Sequence, residues 1–163
     1  MISIKRTRNA DSRTADEKLS YDMLKQDTME HINDVHQGMC FISDLISIRG
    51  MTHDFTKENY FDEFAENVLT PHTNDEFINN DWYQKHIFEE RHHLNANCPL
   101  DVNLIDVLEM IVDCVMAGKG RSGHVTPQYL ILKDPGILER AYWNTVKLLD
   151  DEVVICDDEI MQG

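Results

Sequence analysis

"DVNLIDVLEMIVDCVMA", residues 101–117, is the stretch whose reading decides the fold. Val102, Ile105, Leu108 and Val112 recur at three- and four-residue steps, which is one face of an α-helix and never a strand alternation. Gly118 follows, a residue that can end a helix in a left-handed cap. The same stretch carries Asp106, Glu109 and Asp113. At about 100° per residue, positions 106 and 113 lie about 20° apart, and 109 and 113 about 40°. Carboxylates beside an apolar face are costly unless they are paired or bound to metal, so this stripe predicts cationic partners.

Outward from that helix, the pattern stays helical. Ile32, Val35, Met39, Ile42 and Ile46 step along residues 15–48 and predict a core-facing stripe. A further helix is expected from Phe55, with Phe61, Phe64, Ala65 and Val68 on one side. "TPHTNDEF" (70–77) reads as a loop and a new start, with Thr73, Asn74 or Asp75 as cap. The helix it opens carries Phe77, Trp82, Ile87 and Phe88 until "NANCP" (95–99) breaks it. "GKGRSGH" (118–124) reads as a turn or mobile loop. "PGILERAYWNTVKLL" (135–149) is a last helix with Pro135 near its start. Trp82, Tyr142 and Trp143 are expected in the core. The expected fold is an all-α bundle of about five to seven helices. One domain over 15–150 follows a loose segment (1–14) and precedes an acidic tail (151–163).

The chain of 163 residues has 30 acids against 15 bases, a formal charge of −15. That balance repels nucleic-acid backbones and anionic lipid, which excludes long polyanions as partners. No apolar run approaches the roughly 20 residues needed to span a bilayer, and the first residues lack a signal-peptide core. A cytosolic protein is expected. The four cysteines, Cys40, Cys98, Cys114 and Cys156, show no C-x-x-C spacing, so free and mostly buried thiols are expected rather than disulfides or a zinc finger.

The histidines carry the chemistry. His31 lies on the first helix, His53-Asp54 stands in "RGMTHDFTK" (49–57), His86 and His92-His93 stand in "KHIFEERHH" (85–93), and Asp113 lies on the acidic stripe. Imidazole and carboxylate ligands together suit divalent Mn, Fe, Ni, Co or Zn. Each residue also has an ordinary role. Asp54 could cap the helix beginning at Phe55, and the histidines could sit on helix surfaces. Geometry adds a condition: on one straight helix, His31 and His53 would be about 33 Å apart. A shared ion therefore needs a turn, for which Gly38 and Ser43-Asp44 are the candidates. On a continuous helix His86 and His93 share a face, while His92 is turned away by about 100°. Asp106 and Glu109 read as supporting or solvated acids. Arg49, Lys57, Lys85 and Arg91 are the bases near these positions that could hold a phosphate.

The ordered set His31, His53-Asp54, His86, His92 and Asp113 on a helical background resembles the HD-domain superfamily of metal-dependent phosphohydrolases. Within it, the chain is most similar to an uncharacterised group of phage and bacterial HD-like proteins. "HINDV", "RGMTHDFTK", "KHIFEERHH", "NLIDVLEMIVD" and "LERAYWNTVKLL" carry the likeness, over roughly residues 31–149. It departs at Thr56, where those proteins have serine, at Leu94-Asn95 in place of Pro-Glu, and at Cys114 in place of tryptophan. The resemblance implies one or two divalent ions (Mn, Fe, Ni, Co, Zn or Mg) held by His31, His53, Asp54, His86, His92 or His93, and Asp113. It favours His92 over His93. It also implies a small phosphorylated substrate such as a nucleotide, attacked by a metal-polarised water, with Asp54, Lys57 and Arg49 at the reacting groups. If the chain is phage-encoded, the host cytoplasm is the expected location. Two alternatives stand beside this reading: a di-iron HD-like oxygenase, and a non-catalytic, metal-stabilised accessory protein that binds a host protein. The sequence leaves oligomeric state open, a homodimer included.

Overall fold

The computed structural model describes residues 1–156 and is all-α, with seven α-helices among them. No helix among the described residues is long and apolar enough to cross a membrane. The chain divides into two compact units, one of residues Met1–Leu45 with the chain from Val146 onward, the other Ile46–Thr145.

α1 (Tyr21–Met51), most of which belongs to the first unit, runs 31 residues without a break. Neither Gly38 nor Ser43-Asp44 turns it. A mid-helix glycine costs only about 0.5–1 kcal/mol, too little to interrupt so long a helix. The expected core stripe is also corrected, because no residue of α1 is buried and Ile32, Val35 and Met39 are exposed. The segment expected to be loose holds β1 (Ile2–Ile4), which pairs in parallel with β2 (Val153–Ile155). The N-terminal ammonium reaches Glu152 at 2.7 Å. Residues 157–163 of the expected tail lie outside the described residues.

In the second unit, α2 (Phe55–Asn59), α3 (Phe61–Leu69), α4 (Asn74–Ile78) and α5 (Asp81–Glu89) are short. Thr73 caps α4 in a reciprocal capping box with Glu76, as one of the three expected caps. α6 (Leu104–Ser122) opens with a second box, Asn103 with Asp106, and runs past Gly118 to a left-handed Gly123 (φ 77°). Gly118 is needed for another reason. The chain folds back over it, and a Cβ there would meet His124 O at 3.0 Å and Val125 Cα at 3.3 Å. The core is Leu94, Val102, Val107, Met110, Ile137 and Ala141, which joins α6 to the start of α7 (Gly136–Glu152).

Asn144-Thr145 locks that junction. Thr145 Oγ1 accepts from Leu104 N–H at 2.9 Å, one of the unpaired donors of α6's first turn, and Asn144 Nδ2 donates to Val102 O at 2.8 Å. Trp82 is buried as expected, but Tyr142 and Trp143 are exposed. The cysteines are free as expected, yet none is buried: Cys40 and Cys156 are exposed, Cys98 and Cys114 intermediate.

Candidate metal centre

The site is built from the turn that opens α2. Asp54 adopts φ 57°, ψ 30°, and is the only non-glycine residue at positive φ among the described residues. Asp is one of the few side chains that visits this region, at a cost of about 1–3 kcal/mol. Its side chain makes no cap bond to α2, so the ordinary reading of Asp54 fails. Oδ2 instead accepts from Lys57 Nζ and lies 3.5 Å from His53 Nε2. Oδ1 lies 3.7 Å from His86 Nε2 and 3.8 Å from His92 Nε2, is buried, and makes no hydrogen bond.

Two groups of three potential ligands meet at this carboxylate: His53, Asp54 and His92, and Asp54, His86 and His93. Within each group the ligand atoms lie within 4.8 Å of one another. Each group can hold a divalent ion, with Asp54 common to both. His92 falls in one group and His93 in the other. Helical angles could not decide between them, because α5 ends at Glu89 and both histidines stand in the turn beyond. His92 is the most telling residue. It is 2% exposed, and neither ring nitrogen makes a hydrogen bond. Its Nδ1 is 3.2 Å from Glu109 Oε1 but misaligned for a bond. Buried polar atoms are almost always bonded, and an unpaired imidazole nitrogen beside an unpaired carboxylate oxygen fits a cation ligand set.

A buried chain of bonds orients His86. Thr56 is fully buried, and its hydroxyl donates to Glu90 Oε1 at 2.7 Å while its backbone N–H donates to the same oxygen at 2.8 Å. The hydroxyl proton is thereby committed, so at 2.6 Å it is His86 Nδ1–H that donates to Thr56 Oγ1. Nε2 then carries the lone pair and points at Asp54 and at His93 Nε2, 2.8 Å away. Thr56→Val should lower metal affinity about 10–100-fold by freeing the ring and leaving Glu90 Oε1 only the backbone N–H of residue 56. Thr56→Ser should restore it, and metal titration with a chromophoric competitor measures both. Equal affinity in Thr56→Val and wild type would remove this role.

α6 closes the other side. His53 Nδ1 bonds Glu109 Oε1 at 3.1 Å, and its Nε2 lies 3.6 Å from Asp113 Oδ1. With no ion bound, Asp113 and then Glu109 hold the imidazolium, and its pKa rises to about 10. Burial alone would raise Glu109, but His53 and His92 outweigh it and bring the carboxyl down to about 2. Burial, with the neighbouring histidines, lowers His86 and His93 to about 4, so both are neutral, with His93 Nε2–H donating to His86 Nε2. Metal uptake at pH 7–8 should therefore release about one proton, from His53, and affinity should fall as pH drops below about 10. Calorimetry in two buffers of different ionisation enthalpy counts that proton; no dependence on buffer would contradict the assignment.

The bases divide. Lys57 binds Asp54, and Arg49 approaches Glu109 and Asp106 at 3.6 Å each, so both stand at the centre. Arg91 is committed to Asp106 through two bonds of 2.9 and 2.8 Å, and Lys85 sits over the Tyr60 ring at 3.1 Å. Neither serves as the expected phosphate base. His31 is also corrected. Unbroken α1 puts it 20 residues before Met51, about 30 Å along the axis, and it joins neither ligand group among the described residues. Glu109, read from the sequence as a supporting or solvated acid, stands in the supporting place, bonded to His53. Sequence reading missed Thr56 and Glu90, for which no sequence signal existed. Beside His53, Glu109 and Asp113 opens a cavity of about 260 Å³, walled by Ile105, Leu108, Val112 and Met116.

In comparison with known proteins, no family model, curated protein or solved structure matches the chain.

Proposed function

We propose that this chain is a metal-dependent phosphohydrolase of the HD type, acting on a small nucleotide or other phosphate ester. The observation that carries it is Asp54, held in a strained left-handed conformation with one buried, unpaired oxygen facing two imidazoles, His86 and His92. His53 and His92 would hold one divalent ion and His86 and His93 a second, Asp54 contributing to both. Asp113 and Glu109 orient His53. Such ions supply Lewis acidity and acidify bound water. Lys57 and Arg49 are the cations positioned to take the phosphate oxygens, Lys57 by exchanging Asp54 for substrate.

The test is elemental analysis of protein purified without chelators or affinity tags, followed by a panel of phosphomonoesters, phosphodiesters and nucleotides with Mn²⁺, Co²⁺ or Ni²⁺. Bound metal with turnover that chelation removes supports the reading. Bound metal with no turnover across the panel sinks it. The apolar wall of the adjoining cavity favours one second reading, an iron-dependent oxygenase acting on an apolar substrate. Iron as the dominant bound metal, with a mixed-valent spin-resonance signal, would select that one.

A further inference from the structure

The geometry of α1 points to a second copy of this chain as its packing partner, and we propose that the protein is a homodimer joined along the Ile32–Ile46 seam. This inference is independent of the metal reading. Long helices owe most of their stability to burying an apolar face, yet α1, at 31 residues, buries no side chain. Ile32, Val35 and Met39 are 55%, 52% and 64% exposed.

Their spacing identifies the kind of partner. Ile32, Val35, Met39, Ile42 and Ile46 step by 3, 4, 3 and 4 residues, the a/d repeat of a seam that packs against another helix. With Ile32 as position a, the flanking e and g positions from 29 to 45 are Met29, His31, His36, Gly38, Ser43 and Leu45. None is Asp, Glu, Lys or Arg. The acids of this stretch, Glu30, Asp34 and Asp44, fall at c and f, on the far side of the helix.

That distribution selects the occupant. Two chains of charge −15 repel each other wherever their acids meet. Along this seam no acid from either copy lines the contact. A basic partner would be drawn to the c/f side instead, where the seam's apolar residues contribute nothing. A heptad face is also self-complementary, as a two-fold interface requires.

Sedimentation equilibrium at micromolar concentration tests it. Wild type should behave as twice 19.0 kDa, and Ile32→Glu/Met39→Glu should raise the dimer dissociation constant at least about 100-fold, since each Glu would be buried unpaired. Asp34→Lys, at c, should leave the mass unchanged. If the double variant fails to fold, Val35→Cys in a Cys40→Ser/Cys156→Ser background supplies the answer: it should form an intermolecular disulfide on mild oxidation, and Asn33→Cys, at b, should not. A monomeric wild type overturns the proposal, including one that dimerises only after residues 157–163 are removed, which would mean that the chain covers its own seam. So does a dimer that survives the double substitution, or equal cross-linking from positions 33 and 35.

Discussion

Asp54→Gly should abolish metal binding while leaving the metal-free chain at least as stable as wild type. The first half follows from the ligand groups, both of which contain Asp54. Loss of a supporting residue costs about 10–100-fold in affinity, and loss of the carboxylate shared by both groups should exceed about 100-fold. The second half follows from the backbone. Position 54 has φ 57°, which glycine adopts freely and aspartate only with strain. Glycine also removes a carboxylate from a cluster that already holds Glu109 and Asp113. Relief of strain and of like-charge crowding offsets the lost bond to Lys57, a half-buried pair. Metal analysis and urea unfolding in chelator check the two halves separately. A variant that binds no metal but is also several kcal/mol less stable would make Asp54 a structural residue. One that still binds metal stoichiometrically would end the metal-centre reading.

How much of this was legible in the sequence depends on range. The helix at 104–122 was readable because its apolar spacing is local, and the Thr73–Glu76 box was readable because both partners lie within four residues. Gly118 misled because a glycine after an apolar run resembles a stop; the contact that requires it comes from residues 124 and 125, which fold back over it. The β1–β2 pairing joins residues 151 apart through three-residue strands, too short to announce themselves. The stripe on α1 was readable as apolar, but period alone cannot say whether a chain covers such a face itself.

The site divides in the same way. His53, Asp54, His86, His92, His93 and Asp113 stand together in space, and their residue types made them candidates. His31 drops out because nothing breaks α1. Thr56 and Glu90 were invisible because a threonine and a glutamate 34 residues apart become a relay only after folding buries both. Position 56, before Lys57, matters through its hydroxyl, which Thr56 supplies. Arg91, grouped by sequence with the phosphate-binding bases, is occupied by a carboxylate.

That carboxylate, Asp106, sets the second large effect. Asp106→Ala should destabilise the protein by about 3–5 kcal/mol, the range for breaking a buried charge pair by removing one partner. Asp106 is fully buried, binds the Arg91 guanidinium through both oxygens, lies 3.6 Å from Arg49, and accepts the Asn103 N–H at 3.0 Å in the box that opens α6. Truncation strands Arg91, whose remaining partner is the exposed Asp101 at 3.0 Å, and removes one half of the capping box on the helix that carries Glu109 and Asp113, leaving the Asn103 cap. Asp106→Asn keeps the shape and one acceptor, and should lose about half as much, since charged hydrogen bonds are roughly twice as strong as neutral ones. The two acids thus separate by readout. Position 54 should lose metal without stability, and position 106 should lose stability while whatever protein remains folded keeps its metal. Urea unfolding in chelator measures the first quantity and elemental analysis of the folded fraction the second. A loss under about 1 kcal/mol in Asp106→Ala would show that Arg91 and the start of α6 are held by contacts other than this carboxylate.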